Sequence, residues 1–453
     1  MNLKRFSPAA RLALVSLFAA PLFASGKGSA DSVRVTSPAS GSAVTSPTTY
    51  IADAATTGCD EGIASMGIYV GNTLKYVVNG SHLNTQLPLP GGRQSTVIQT
   101  WDNCGGSARV SVPVTVGAGA ASSTPVKHVF VITLENKGFD QTFGANSQAP
   151  YLAQTLTSQG QLLTHYYGIG HTSAPNYVAM ISGQAPNQQT QADCRTYADF
   201  AGTGQVAADG QVVGQGCVYP SSVLTVADQL QSAGLTWHGY MEGMSSSCLH
   251  PALNSSDPYQ GATPDGYATK HNPFVYFHSI VDTGSCAAND VPLTQLSQDL
   301  SAVSTTSNLT YIVPNICHDG HDTPCQNGEP GGLVSADAFL KQWVPVIMNS
   351  PAYQQDGVLI ITFDESESSD SSATASEVAG PNASQPGING PGGGRVGSVI
   401  LSPFVAPGTT NATRYNHYAL LKSIENFFGL SHLGYAQAGN LPAFGKDVFA
   451  NTP

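Results

Sequence analysis

The sequence predicts an α/β protein, a sheet with helices on both faces, preceded by a small all-β immunoglobulin-like sandwich. Three observations carry that expectation. Beyond Val126, apolar β-type runs (HVFVITLEN, LTWHGYMEG, NLTYIVPN, GVLIITFDE and RVGSVILSP) alternate with helical stretches, the pattern of parallel strands buried on both faces. From residue 31 to 116 helical periodicity is missing, and short alternating runs such as SVRVTSP, SMGIYVG, LKYVVNG, STVIQTWD and ARVSVPVTV are separated by Gly, Pro and Asn turns, the mark of an antiparallel sandwich. Between the two lies GAGAASSTP, with the composition of a flexible linker.

A chain of 453 residues has room for two or three domains. Residues 1–24 read as a secretory signal peptide. Lys4, Arg5 and Arg11 lead into an apolar run from Leu12 to Ala24, short of the roughly 20 residues that cross a bilayer. Residues 31–116 form the expected sandwich, with Trp101 and a Cys59–Cys104 pair in its core. Residues 117–126 form the linker, and 127–453 the large domain. There, YLAQTLTSQ, VLTVADQLQSAG, LTQLSQDLSAV, SADAFLKQWVPVIMNS and HYALLKSIENFFGL are the helices expected to cover the sheet. Residues 366–394, rich in Ser, Gly and Pro, read as one long loop, either without structure or serving as a lid beside the acidic pair it follows. Once the signal is removed, no segment is apolar enough to span a membrane.

Composition excludes one partner class. Lys and Arg number 17 against 29 Asp and Glu, a formal net charge of −12. Counterion release on nucleic acid needs clustered basic residues, and the sequence has no such run, so nucleic acid is not an expected partner. Eight cysteines in an exported chain, with no C-x-x-C pair, favour disulfides over thiolate metal sites. Pairing of sequential neighbours gives Cys59–Cys104, Cys194–Cys217, Cys248–Cys286 and Cys317–Cys325.

Chemistry-bearing residues gather where strands end, which is where open α/β sheets bind ligands. HVFVITL runs into Glu135-Asn136, VLIITF into Asp364-Glu365, and TYIVP into Asn315 followed by His318, Asp319, His321 and Asp322. One acid after a strand is commonly a helix cap or a solvated turn. Two acid-containing dipeptides and a His/Asp cluster at equivalent ends point to a divalent metal site. Carboxylate and amide oxygens suit Ca or Mg, and imidazole extends the set to Mn, Fe or Zn. The candidate nucleophile is Ser173 in GIGHTSAPNYVAMISG. Pro175 suits a first helical turn, so Ser173 stands at a helix entrance, where unpaired N–H groups and the positive dipole end favour an alkoxide or a phosphate. The plainer alternative is a capping serine. The surroundings favour catalysis: His171 is two residues away, Asn176 can donate to a phosphoryl oxygen, and a metal on Glu135, Asn136, Asp364 and Glu365 can deprotonate the hydroxyl.

ENKGFD at 135–140, HTSAPNYVAMISG at 171–183, KHNPFVYF at 270–277, PNICHDGHD at 314–322, ITFDE at 361–365 and HYALLKSIENFFGL at 417–430 together resemble the secreted bacterial phosphoesterase family of acid phosphatases and phospholipases C. That family lies within the alkaline phosphatase-like superfamily. The resemblance covers about residues 127 to 447 and implies an alkaline phosphatase-like sheet and a phosphoserine intermediate beside a metal. By position it implies Ser173 as nucleophile and Glu135, Asn136, Asp364 and Glu365 as metal ligands. It further implies His171, His271, His318 and His321 as groups that bind the phosphoryl oxygens or protonate the leaving group, His271 foremost for the latter. Asp322 and His417 fall in supporting positions behind them.

The expectation is therefore a secreted or periplasmic, metal-dependent phosphoesterase acting on a small phosphate ester or a phospholipid head group, its oligomeric state left open. An imidazolium acid would favour activity below neutrality. Three rivals remain: a phospholipase C-type phosphodiesterase; a metal-independent carboxylester hydrolase using Ser173, His321 and an Asp; and a secreted surface- or glycan-binding protein working through the sandwich. C-x5-R, R-H-G, D-x-D-x-[TV], G-N-H-E, Walker A, G-x-S-x-G and H-E-x-x-H motifs are absent.

Overall fold

A computed structural model describes residues 31–450, apart from 45–47, 72, 88, 90–91, 117–123, 261–265, 375–376, 378 and 387–389. The signal peptide expected at 1–24 and most of the linker expected at 117–126 lie outside the described residues.

The apolar runs after Val126 become strands of one eight-stranded sheet. Its members are β1 (His128–Leu134), β2 (Gln161–Leu163), β3 (Trp237–Met241), β4 (Asp290–Pro292), β5 (Leu309–Val313), β6 (Gly357–Phe363), β7 (Ser398–Leu401) and β8 (Thr409–Asn411), in the order β4-β3-β5-β1-β6-β7-β2-β8. Every residue of β1, β5 and β6 is buried, so both faces of the sheet centre are covered, and an uninterrupted apolar run is the sequence such a strand requires. β1 pairs in parallel with β5 and β6, Val129 lying opposite both Leu309 and Val358. The main helices are α1 (Ser173–Ser182), α2 (Val226–Ser232), α3 (Gly332–Met348) and α4 (His417–Phe427).

Three expectations change. RVGSVILSP was expected as a parallel strand, yet β7 runs antiparallel to both β6 and β2. Among the described residues no crossover helix separates β6 from β7, and a strand that returns beside its predecessor without one runs antiparallel. The stretch LTQLSQDLSAV yields only a short turn at Leu293–Gln295 and a helix at Leu296–Asp299. The Thr305 and Thr306 hydroxyls both donate to the Asp299 carbonyl, local bonding that competes with helix propagation. The 366–394 segment is not structureless where it is described. Ser366 N donates to Gly393 O and Gly393 N to Gly168 O, Arg395 N donates to Asp370 Oδ2, and the Asn382 amide bridges Val212 and Gly214.

The described residues of 32–116 contribute ten short strands in three sheets. They share a core around Tyr50, Ala52, Met66, Ile68, Leu83 and Ile98, separate from the core of the large sheet. Trp101 is not in that core. Ile98 and Thr100 point inward on the Thr96–Asp102 strand, so alternation turns Trp101 to the outer face, where it is half-buried and packs against Tyr69 with ring centroids 6.5 Å apart. Cys104 is likewise exposed, although its partner Cys59 is buried. All four disulfides pair sequential neighbours: Cys59–Cys104, Cys194–Cys217, Cys248–Cys286 and Cys317–Cys325. Among the described residues, no helix is long and apolar enough to cross a membrane.

Candidate active site

The ends of neighbouring strands bring the acids together. β1 and β6 are in register to Leu134 and Phe363, so the next residues, Glu135 and Asp364, emerge side by side. Asp364 N donates to Leu134 O at 2.9 Å, and Asn136 N donates to Asp364 Oδ1 at 3.1 Å. Asn136 takes a left-handed φ of 49°, a conformation Asn tolerates better than most side chains. From the turn after β5, the Asp319 carbonyl accepts from Glu135 N at 2.8 Å.

Ser173 is the first residue of α1, and its Oγ donates to Glu135 Oε2 at 2.9 Å. The loop before it lies directly on the acidic strand end. A Cβ at Gly168 would stand 2.5 Å from Asp364 O, so only glycine permits that approach. Asn176 ties the loop to the helix. Its Oδ1 accepts from Ile169 N and Gly170 N, and its Nδ2 donates to Gly170 O and Thr172 O. Both ends of the amide are thereby committed to the loop.

The cluster is almost entirely buried: Ser173 retains 2% of its exposure, and Glu135, Asp319 and Asp364 none. Glu135 Oε1, Asp319 Oδ2 and Asp364 Oδ2 have no hydrogen-bond partner, nor has either His271 nitrogen. The Asn136 side-chain oxygen faces Glu135 Oε2 and Asp364 Oδ1, each at 3.1 Å; turned over, the amide would donate to both. In the first orientation the amide oxygen crowds two carboxylate oxygens, and a cation or a proton on either carboxyl would relieve it. The donor set of carboxylates and one amide fits a hard divalent ion.

Burial pushes the Glu135 carboxyl up against the opposing charges of Lys270 and His321. Burial, then the Glu135 charge, holds Asp319 and Asp364 well above the usual carboxylate range. Burial lifts Glu365 to about 7 despite its bond to His171. The basic groups shift upward: burial pulls Lys270 and His171 down, but Asp193 with Glu135, and Glu365 with Asp370, more than reverse it.

The remaining candidates separate by what their ring nitrogens already hold. His171 places Nδ1 on Glu365 Oε2 at 2.8 Å and Nε2 on Asp370 O. His318 sits between Glu242 at 2.8 Å and Glu329 at 2.9 Å, and the bond to Glu242 leads the effects that raise it to about 9. His417 joins the Tyr166 hydroxyl at 3.1 Å to Asp364 O at 2.5 Å, and burial lowers it to about 4. His271 stacks on Tyr177 with ring centroids 5.2 Å apart, facing Glu135 Oε1 at 3.3 Å and Asp319 Oδ2 at 3.5 Å. Burial, with the charges of Lys270 and His321, pushes it well below the usual imidazole range. His321 differs: its Nδ1 meets Asp322 Oδ1 at 2.9 Å, its side chain is 38% exposed, and its Nε2 has no partner among the described residues.

Four residues of this neighbourhood were not singled out as site members by sequence reasoning. Asp319 stood inside the PNICHDGHD motif. Lys270 precedes His271 and bonds Asp193 Oδ2 at 3.3 Å, while Asp193 Oδ1 accepts from Ala174 N in the first turn of α1. Tyr177 supplies the ring under His271. Asp319 left a signal as an acid in the cluster after β5, whereas Lys270 and Tyr177 lay inside KHNPFVYF and HTSAPNYVAMISG with nothing to single them out. Among the described residues, the groups of three His, Cys, Asp or Glu whose ligand atoms all come within 4.8 Å of one another are Cys59 with Asp102 and Cys104, and Cys317 with His318 and Glu329; Glu135, Asp364 and Glu365 do not close to that distance. The cysteines of those two groups are all in disulfides and present no thiolate.

Residues 145–431 match a family model described as the Phosphoesterase family. A probable acid phosphatase of Kluyveromyces lactis is 27% identical over 311 residues, covering 68% of this chain and 59% of that protein. A phosphate-repressible acid phosphatase of Penicillium chrysogenum is 27% identical over 287 residues, covering 63% of this chain and 56% of that protein. The chain thus spans less than two thirds of the length of these fungal relatives. A phosphatidylinositol-3-phosphatase of Mycobacterium tuberculosis is 26% identical over 321 residues, covering 71% of this chain and 83% of that protein. Among solved structures, a protein in the alkaline phosphatase superfamily from Vibrio parahaemolyticus aligns with a TM-score of 0.40 at 12% identity, covering 69% of this chain and 70% of that one.

Proposed function

Because the chain belongs to the Phosphoesterase family, we propose that it hydrolyses phosphate esters through a phosphoserine on Ser173, with a divalent metal held by Glu135, Asn136 and Asp364 and by Glu365 beside them. The observation that supports this most is the Ser173 hydroxyl bonded to Glu135 at 2.9 Å amid buried carboxylate oxygens that lack partners. A bound metal would supply Lewis-acid polarisation of the phosphoryl oxygens and lower the pKa of the attacking hydroxyl. Glu135 Oε2 is the acceptor already aimed at the Ser173 proton. Ser173 Oγ attacks phosphorus as the ester oxygen departs, and water later cleaves the phosphoserine.

His321 is the group assigned to protonate the departing oxygen. Asp322 fixes Nδ1, which orients Nε2 as the working nitrogen. His271, which burial pushes towards its neutral form, packs against Glu135 and Asp319 instead. His171 holds Glu365, and His417 holds the Asp364 backbone. Asn176 shapes the loop that presents Ser173, and His318 anchors the turn after β5. The segment 31–116 is read as an immunoglobulin-like accessory domain, residues 127–453 as the catalytic domain, and the protein as exported.

A carboxylester hydrolase would use His321 as the base for Ser173, yet the partner of that hydroxyl is Glu135. An aryl phosphate and an aryl carboxylic ester, each assayed with chelator and with Mg, Ca, Mn, Fe or Zn restored, separate the two. Phosphate release that stops on chelation and returns with a metal is the expected result. Ester cleavage indifferent to chelation, without phosphate release, would reject the proposal.

A further inference from the structure

A second pocket, of about 460 Å³, opens beside the nucleophile, lined by Thr172, Gln188, Gln191, Ala192, Asp193 and Arg195. Thr172 immediately precedes Ser173, and Asp193 bonds the amide of Ala174, so this space adjoins the entrance of α1. Two charged side chains line it, and only one is engaged. Asp193 gives one oxygen to Ala174 N and the other to Lys270 Nζ at 3.3 Å, which neutralises it. The Arg195 guanidinium makes no hydrogen bond or ion pair among the described residues, although its backbone is pinned. Arg195 N donates to Ala192 O, its carbonyl accepts from Asp257 N, and the adjacent Cys194 is bonded to Cys217.

What sets Arg195 apart is its place: it brings a positive charge to a pocket beside the nucleophile in a chain with 29 acidic against 17 basic residues. A guanidinium stays charged at any working pH, and its planar fork matches a phosphate or a carboxylate. Gln188, whose side chain has no partner among the described residues, adds a neutral donor on the same wall.

We propose that this pocket holds a second anionic group of the substrate, bound by Arg195 while the scissile phosphate lies at Ser173. This deepens, and rests on, the phosphoesterase reading. The substrate class is then a phosphate ester that carries another phosphate or a carboxylate on a short spacer. Because the pocket is open, the spacer and its carbon skeleton are loosely specified, and the second charge is the feature read.

The test compares glycerol 2-phosphate, 3-phosphoglycerate and fructose 1,6-bisphosphate as substrates of the wild-type protein, Arg195→Ala and Arg195→Lys, with divalent metal present. One or both doubly anionic substrates should show a KM about tenfold below that of glycerol 2-phosphate, a factor worth about 1.4 kcal/mol. Arg195→Ala should erase that difference, and Arg195→Lys should restore part of it. Phosphate release from all three with no difference that depends on Arg195 overturns this inference alone. No phosphate release from any of them overturns the phosphoesterase reading, and this inference with it.

Discussion

Removal and return of a divalent ion at two pH values tests the carboxylate cluster as a metal site independently of turnover. Burial lifts Glu365 from 4.5 to about 7, and it shifts Glu135, Asp319 and Asp364 in the same direction. Below about pH 4.5 the acid is protonated in folded and unfolded chain alike and costs nothing. As pH rises past that value the unfolded chain releases the proton and the folded chain keeps it, so metal-free stability falls until the folded pKa is passed. For Glu365 the gap of about 2.5 units is worth roughly 3 kcal/mol, with no discount for solvent because the group is buried. A cation among Glu135, Asp364 and Glu365 removes that penalty, and at about 2 °C per kcal/mol for a domain of this size it should raise Tm by about 6 °C near pH 7.5. Near pH 4.5, protons already neutralise the cluster, and the rise should be close to nil. Thermal unfolding at one fixed scan rate, with chelator and then with each metal, measures both. An equal rise at the two pH values, or none at the higher, refutes the reasoning.

Other outcomes follow from single side chains. Ser173→Ala should lower turnover of an aryl phosphate by about a thousandfold or more, while the metal-dependent rise in Tm persists. His321→Asn should lower kcat by about a hundredfold on an alkyl phosphate and much less on a nitrophenyl phosphate, whose leaving group needs no proton; equal losses on both would remove His321 from that role. Asn176→Ala deletes four hydrogen bonds in a buried loop and should cost about 3 kcal/mol in urea unfolding; a loss below about 1 kcal/mol would mean the loop holds itself.

The centre of the sheet was legible because β1, β5 and β6 are buried along their whole lengths, and full burial writes itself as an apolar run, which in β1 and β6 stops at an acid. The three-residue strands β2, β4 and β8 are too short to carry a period, and the direction of β7 depends on where the preceding loop travels. Residue types in the candidate site were legible, but the partner of each side chain was not. His171 and His318 look alike in sequence, as free imidazoles near a nucleophile. Their nitrogens are occupied by Glu365, Asp370, Glu242 and Glu329, and apart from Glu329 those partners are brought to them only by folding. Asn176 reads equally well as a phosphate donor or a loop brace, and only the position of its amide decides.

Charge balance links the metal to the pH of activity more tightly than either does alone. Around Ser173 stand Glu135, Asp319, Asp364 and Glu365, while the adjacent cations are already paired, His171 with Glu365 and Lys270 with Asp193. On the proposed reading, a phosphate ester bringing its own negative charge cannot enter such a site until something positive arrives, and protons and a divalent ion are the two candidates. They are not equivalent. Protons would neutralise Asp319 and Asp364, but a Glu135 that is protonated on either oxygen is no longer a base for the Ser173 proton. A metal lowers the same repulsion while leaving Glu135 ionised. On that reading acidity cannot substitute for the metal.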